Sequence, residues 1–167
     1  FDKFCLDHGL KNFYYRVPED SIRLYETLNK KSLLIGQEGI IDLNTFTLEG
    51  RDRKSIRNSC NKVEENGYFS RIYTAPINEV LMSKIKEVSL EWLEANDFRE
   101  MVFSQGVFDI RELKEQTIIS VENHEEKVVA FLNLIPDYAT GEITYDLIRK
   151  TIDAPNGSVE YLMVETI

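Results

Sequence analysis

EITYDLIRKTIDAPNGSVEYLMVETI, residues 142–167, is the stretch that decides the fold. Ile143, Tyr145 and Leu147 alternate with polar residues, which predicts a strand; Asp153-Ala154-Pro155-Asn156-Gly157 breaks it, and a helix resumes near Ser158. A strand that feeds a helix N-terminus across such a turn leaves unpaired backbone N–H groups and a positive dipole end pointing at one spot. The turn, with Asn156 and Gly157, is therefore read as an anion or carbonyl site. Asp146 and Arg149 stand just before the break, where the functional side chains of open α/β sheets gather. Residues three apart on a regular strand point to opposite faces, so the two serve one site only if the strand ends or bulges near Ile148. The competing reading is an ion pair at the edge of the sheet.

The chain has 167 residues and is 43% hydrophobic, enough for one ordinary core or for one small domain and part of another. It begins at Phe1 without an initiator Met and stops at Ile167 inside an amphipathic helix, so we expect a fragment of a longer protein. No apolar run approaches the roughly 20 residues that span a bilayer, and no signal peptide is visible. Cys5 and Cys60 stand alone, without a CxxC or a neighbouring His, and read as buried thiols rather than as a disulfide or metal framework. A net charge of −9 argues against a generic nucleic-acid binder. The charge is uneven: between Gly50 and Ala75, Arg51, Arg53, Lys54, Arg57, Lys62 and Arg71 outnumber Asp52, Glu64 and Glu65.

Outward from the deciding stretch, the remaining elements fall into place in chain order. Phe13–Val17 reads as a short aromatic strand, and Pro18 opens a helix to about Leu28. Residues 32–36 and 40–43 read as a hairpin around Gln37-Glu38-Gly39. A helix capped by Thr47 or Asp52 runs to Asn66, with Ile56, Cys60 and Val63 as its apolar stripe and Arg53, Arg57, Asn61 and Glu64 as a polar one. Tyr68–Tyr73 is a strand, and Ile77 to about Ala95 a helix that turns Val80, Leu81, Ile85, Val88 and Trp92 inward. Residues 98–109, FREMVFSQGVFD, lack periodicity and read as a loop lining a substrate or pinned down by its aromatics. Thr117–Val121 and Lys127–Ile135 form an antiparallel hairpin, whose second strand is apolar on both faces apart from Asn133. Buried there, Asn133 needs partners. Residues 137–141 turn the chain into the deciding stretch.

The two histidines, His8 and His124, sit in unpromising places, so nucleophilic hydrolysis on a His-activated Ser or Cys is disfavoured. No phosphate-binding glycine loop, dinucleotide fingerprint or metal-ligand cluster is present in the sequence. The order of elements resembles the GNAT-type acyltransferase fold, an α/β (α+β) architecture with a mixed, mostly antiparallel sheet flanked by helices. Its usual glycine-rich pyrophosphate turn is replaced by Asp153–Ser158, which holds one Gly.

GLKNFYYRVP (9–18), IDLNTFTLEGRDRKSIRNSCNKVEENG (41–67), EWL (91–93), FSQGVFD (103–109), VVAFLNLIPDYATGEITYDLIR (128–149) and DAPNGSVEYLMVE (153–165) together resemble the cytosolic catalytic region of the phosphatidylglycerol lysyltransferase family (multiple peptide resistance factor). The family usually carries a basic residue where this chain has Val107. The resemblance implies tandem GNAT-type folds, here the end of a first subdomain (1–48) and the N-terminal part of a second (49–167). It implies an aminoacyltransferase that moves a lysyl or alanyl group from charged tRNA to a glycerol hydroxyl of phosphatidylglycerol, altering membrane surface charge and resistance to cationic peptides. Aminoacyl-tRNA would be the co-substrate with no cofactor and no metal, and the setting the cytoplasmic face of the bacterial membrane, reached through a transmembrane region outside these residues. Its DxxR motif falls on Asp146 and Arg149, the first to hold the aminoacyl α-ammonium or assist the attacking hydroxyl, the second to bind a phosphate or the developing negative charge. Glu64 aligns with a further family acid and is taken as catalytic, and substrate contacts are assigned to Arg53, Arg57, Asn58, Ser104, Asn133, Asn156 and Gly157. A tRNA-dependent transferase acting on a cell-wall precursor and a non-catalytic tRNA- or lipid-binding domain remain as alternatives.

Overall fold

Alternating apolar side chains on successive strands build a sheet whose two faces are both buried. β1 (Tyr68–Tyr73), β2 (Thr117–Asn123), β3 (Val128–Ile135) and β4 (Thr144–Lys150) form an antiparallel sheet in the order β1-β2-β3-β4. The computed structural model describes residues 1–100, 106–135 and 141–167. Its contacts divide the chain into two compact units, Phe1–Ile41 and Asp42–Ile167. The sequence reading puts the division after residue 48.

In the second unit, α3 (Lys54–Glu65) and α6 (Ser158–Thr166) cover one face of the sheet and α4 (Glu79–Ala95) covers the other. Neighbouring strand residues supply the two cores in turn. Ile118 and Phe131 pack with Leu81, Ile85 and Val88 of α4, whereas Ile119 and Leu132 pack with Val63 of α3 and Leu162 of α6. This is why β3 reads as apolar throughout: all but its last two residues are buried. The expected α3 stripe holds, with Cys60 and Val63 buried and Ile56 packed against them. Both cysteines are free and buried.

Several expectations are corrected. α3 has neither Thr47 nor Asp52 as its cap: Arg53 stands at the N-cap without a side-chain bond, and Thr47 Oγ1 instead accepts the Glu49 N–H at 3.1 Å. On α4, Val80 points outward with 67% exposure, and the cap is Asn78, whose side chain accepts the Leu81 N–H. A short helix, α5 (Ile110–Leu113), is an addition, started by Asp109 accepting the Arg111 N–H at 2.8 Å.

In the first unit, α1 (Asp2–Asp7), a 3₁₀ turn (Glu19–Ser21) and α2 (Ile22–Thr27) are the regular elements among the described residues. Neither the aromatic strand at Phe13–Val17 nor the hairpin at 32–43 forms. Tyr14 instead donates to Asp2 at 2.9 Å and packs on the Tyr25 ring at 4.6 Å, a side-chain cluster in place of a ladder. Leu33, Leu34 and Ile40 are more than 80% exposed, so the would-be hairpin has no apolar partner within its unit. An isolated two-stranded hairpin is marginal in water.

Candidate active site

β4 is not a regular strand, and its irregularity builds the site. Leu132 pairs with Ile148 but Leu134 pairs with Tyr145, so Asp146 and Leu147 together face Asn133. That is a bulge of one extra residue, which bends a strand and re-aims its side chains. Asn133 holds it open. Buried to 1% exposure, it accepts the Leu147 N–H on Oδ1 at 2.8 Å and donates from Nδ2 to Gln116 Oε1 at 2.7 Å. The side-chain amide thus takes the place of a backbone acceptor that the bulge removes from the ladder.

The inserted residue resolves the facing problem of Asp146 and Arg149. Arg149 bonds to Ser89 of α4 and Asp146 to Gly106, two residues before Phe108 of the α4-side core, whereas Ile148 between them packs into the α3/α6 core. Asp146, half-buried, accepts the Gly106 N–H on Oδ1 at 2.8 Å. Gly106 leaves no room for a side chain: a Cβ there would lie 1.5 Å from Asp146 Oδ2. Arg149 is 5% exposed and held on three sides. Its Nη1 donates to Ser89 Oγ at 2.5 Å and Glu100 Oε1 at 2.7 Å, its Nη2 donates to Glu100 Oε2 at 2.8 Å, and its guanidinium carbon lies 5.0 Å from the Trp92 ring centre. A bidentate carboxylate pair with a cation–π contact is the arrangement that lets a guanidinium be buried.

The two residues do not bond to each other, so the edge ion pair is not what the strand makes. Arg149 takes its carboxylate from Glu100, and its hydrogen bonds hold that carboxyl below its ordinary value, with the Phe108 backbone adding to the effect. Asp146 is left without a cation among its described contacts. The site therefore offers a half-buried carboxylate and a fixed guanidinium on one face, with Gly106 touching the first and Glu100 the second.

Other expected site residues lie elsewhere. Glu64 is exposed on α3, accepting a 3.3 Å bond from Tyr161, on the face of the sheet opposite Asp146 and Arg149. Asn58 is exposed on α3. Arg57 is absorbed locally, donating from Nη1 to Leu48 O and, at 2.7 Å, to Gly50 O, while Arg53 reaches over the Phe46 ring at 5.7 Å. Gly157 is the N-cap of α6 at φ +100°, and a Cβ there would meet the Ser59 carbonyl oxygen of α3 at 2.7 Å. The turn at 153–158 thus packs against α3 instead of joining the Asp146 site, and Asn156 beside it is exposed. Ser104 lies outside the described residues.

Sequence reasoning missed Glu100, Gly106 and Ser89. The first two sit in the aperiodic stretch 98–109, where neither is set apart by its pattern. Ser89 had a signal: it is a polar residue on the inward stripe of α4, four after Ile85 and three before Trp92.

A family model described as "Phosphatidylglycerol lysyltransferase, C-terminal" matches residues 1–167. The chain belongs to this family. Phosphatidylglycerol lysyltransferase of Bacillus subtilis (strain 168) is 33% identical over 156 residues, and that of Staphylococcus xylosus 31% over 141. These alignments cover 93% and 84% of the chain but only 18% and 16% of the relatives, so the chain spans less than a fifth of their length. The solved structure of L-PGS from Bacillus licheniformis superposes with a TM-score of 0.90 at 30% identity, over 99% of this chain and 50% of that one. The α+β fold is that of the L-PGS domain. No helix among the described residues is long and apolar enough to cross a membrane.

Proposed function

We propose that the chain carries part of the catalytic region of a phosphatidylglycerol aminoacyltransferase, which passes an aminoacyl group, lysyl or alanyl, from charged tRNA to a glycerol hydroxyl of the lipid. The observation that carries this reading is the bulge, which turns an acid and a buried guanidinium toward one face of β4. The family and the names of its relatives support phosphatidylglycerol as the acceptor and an aminoacyl group as what is transferred.

The reaction is an exchange of esters. The lipid hydroxyl oxygen bonds to the aminoacyl carbonyl carbon, the bond from that carbon to the tRNA ribose oxygen breaks, and the proton lost by the lipid ends on the ribose. The two esters are close in energy, so the enzyme's task is orientation and charge stabilisation. Asp146 Oδ2, free of the Gly106 bond made by Oδ1, accepts from the substrate, either the α-ammonium or the attacking hydroxyl. Arg149 supplies positive potential beside the carbonyl oxygen as negative charge develops there. Its bonds to Glu100 and Ser89 use three of the five N–H donors a guanidinium has. The exposed Arg53, at the start of α3, contributes to holding tRNA phosphate.

The test uses the full-length protein with phosphatidylglycerol and tRNAs charged with labelled lysine or alanine, following label into the lipid extract. Label is expected in the lipid from one of the two tRNAs and is expected to vanish with Asp146→Asn or Arg149→Lys. Label that persists at full rate in both variants would remove these residues from the chemistry; no label from either tRNA would redirect the reading to the cell-wall precursor or to binding without turnover.

A further inference from the structure

The pairing around Arg149 gives a residue outside the DxxR motif a definite part to play. Arg149 and Asp146 project toward the same side of a bulged strand, three residues apart, and an unpaired guanidinium buried to 5% exposure would draw in the nearest carboxylate. That does not happen. Glu100 covers Nη1 and Nη2 at 2.7 and 2.8 Å, Ser89 takes a second proton of Nη1, and Trp92 lies under the guanidinium, so Arg149 is held in its own enclosure. Asp146 meanwhile takes its hydrogen bond from the Gly106 backbone.

From this geometry we infer that Glu100 is a positioning residue for the reaction: its carboxylate satisfies Arg149 and thereby keeps Asp146 from being consumed in an internal ion pair. The inference rests on the proposed role of Asp146 and Arg149. Two features support a role beyond folding. Glu100 is not sealed in the core, with a side-chain exposure of 26%, so its bond to Arg149 lies at the margin of the site. Glu100 also accepts a backbone hydrogen bond from Phe108, two residues after the Gly106 that bonds Asp146, so the guanidinium's partner is tied to the backbone that holds the acid. Loss of the Glu100 charge would release Arg149 toward Asp146 and disable both at once.

The experiment measures lipid aminoacylation by the full-length protein carrying Glu100→Gln, Glu100→Asp, Arg149→Lys, and the Glu100→Gln/Arg149→Lys pair, with thermal unfolding recorded for each. Glu100→Gln keeps the shape and removes the charge; a fall in kcat of roughly 10- to 100-fold is expected, with the KM for lipid within about twofold of the parent. Glu100→Asp, which restores the charge on a shorter arm, should recover part of the lost kcat. If Glu100 acts through Arg149, the double variant loses no more than the worse single one. Full kcat in Glu100→Gln, with Arg149→Lys inactive, overturns this inference and leaves the proposed function standing. Full kcat in Arg149→Lys overturns this inference together with the role proposed for Arg149. A Glu100→Gln loss that adds independently to that of Arg149→Lys, or that follows the unfolding temperature without rescue by Glu100→Asp, reduces Glu100 to a folding contact and also overturns it.

Discussion

An alanine at position 106 would put its methyl group 1.5 Å from Asp146 Oδ2. Glycine is needed there for space. Gly106→Ala is therefore expected to push the Asp146 carboxylate aside. Small-to-large changes in packed sites cost about 1–3 kcal/mol, and a displacement of about 1 Å at a reacting group can cost on the order of 100-fold in rate. The variant should lose most of its lipid transfer while unfolding only a few degrees early; transfer at the parent rate would mean that the carboxylate's position is not critical. Asn133 shows the same division between a residue and its setting. The sequence marks it as a polar group in an apolar strand that needs partners, but not that one of them is the Leu147 N–H, because that donor becomes available only when β4 bulges.

At the scale of elements, α3, α4, the β2–β3 hairpin and the β4–turn–α6 unit were legible because each has its period and its breaker in local sequence. The strand at Phe13–Val17 and the hairpin at 32–43 carried comparable patterns and did not form, since an apolar run becomes a strand only with a neighbour to pair with. The site was half legible. Asp146 and Arg149 could be singled out, and the need for a bulge could be argued from their spacing. Glu64 and the 153–158 turn could not be sorted to the other face, because a side chain's face depends on which helix covers it. The turn suggests an anion site at Gly157; the structure gives that glycine a packing reason. Gly157→Ala adds a Cβ 2.7 Å from the Ser59 carbonyl at φ +100°, so α6 must move off α3. A loss of at least about 1 kcal/mol is expected in chemical denaturation, from strain and overpacking together. An unchanged midpoint would contradict the close approach of the two helices.

At the scale of the whole chain, the first unit holds short helices around the Asp2, Tyr14 and Lys30 contacts, and the second holds the sheet and both cores. Between α2 and α3 the chain has no helix or strand, and most of residues 31–43 are exposed. Such backbone is where proteases cut first. Brief trypsin treatment should cleave at Lys30 or Lys31 and leave a resistant product that retains β1 through α6; early cleavage inside α3 or α4 instead would show that the second unit does not hold together as one folded unit. The sheet also separates two surfaces that the proposed reaction needs. Arg53 heads α3 on one face, and Asp146 bonds to Gly106 on the other. A tRNA gripped at the first could not reach the second through the buried strands. Its single-stranded acceptor end would have to fold round a sheet edge, so the length and pliancy of that terminus, more than the grip on the body of the RNA, would govern how often a charged ester arrives beside the carboxylate.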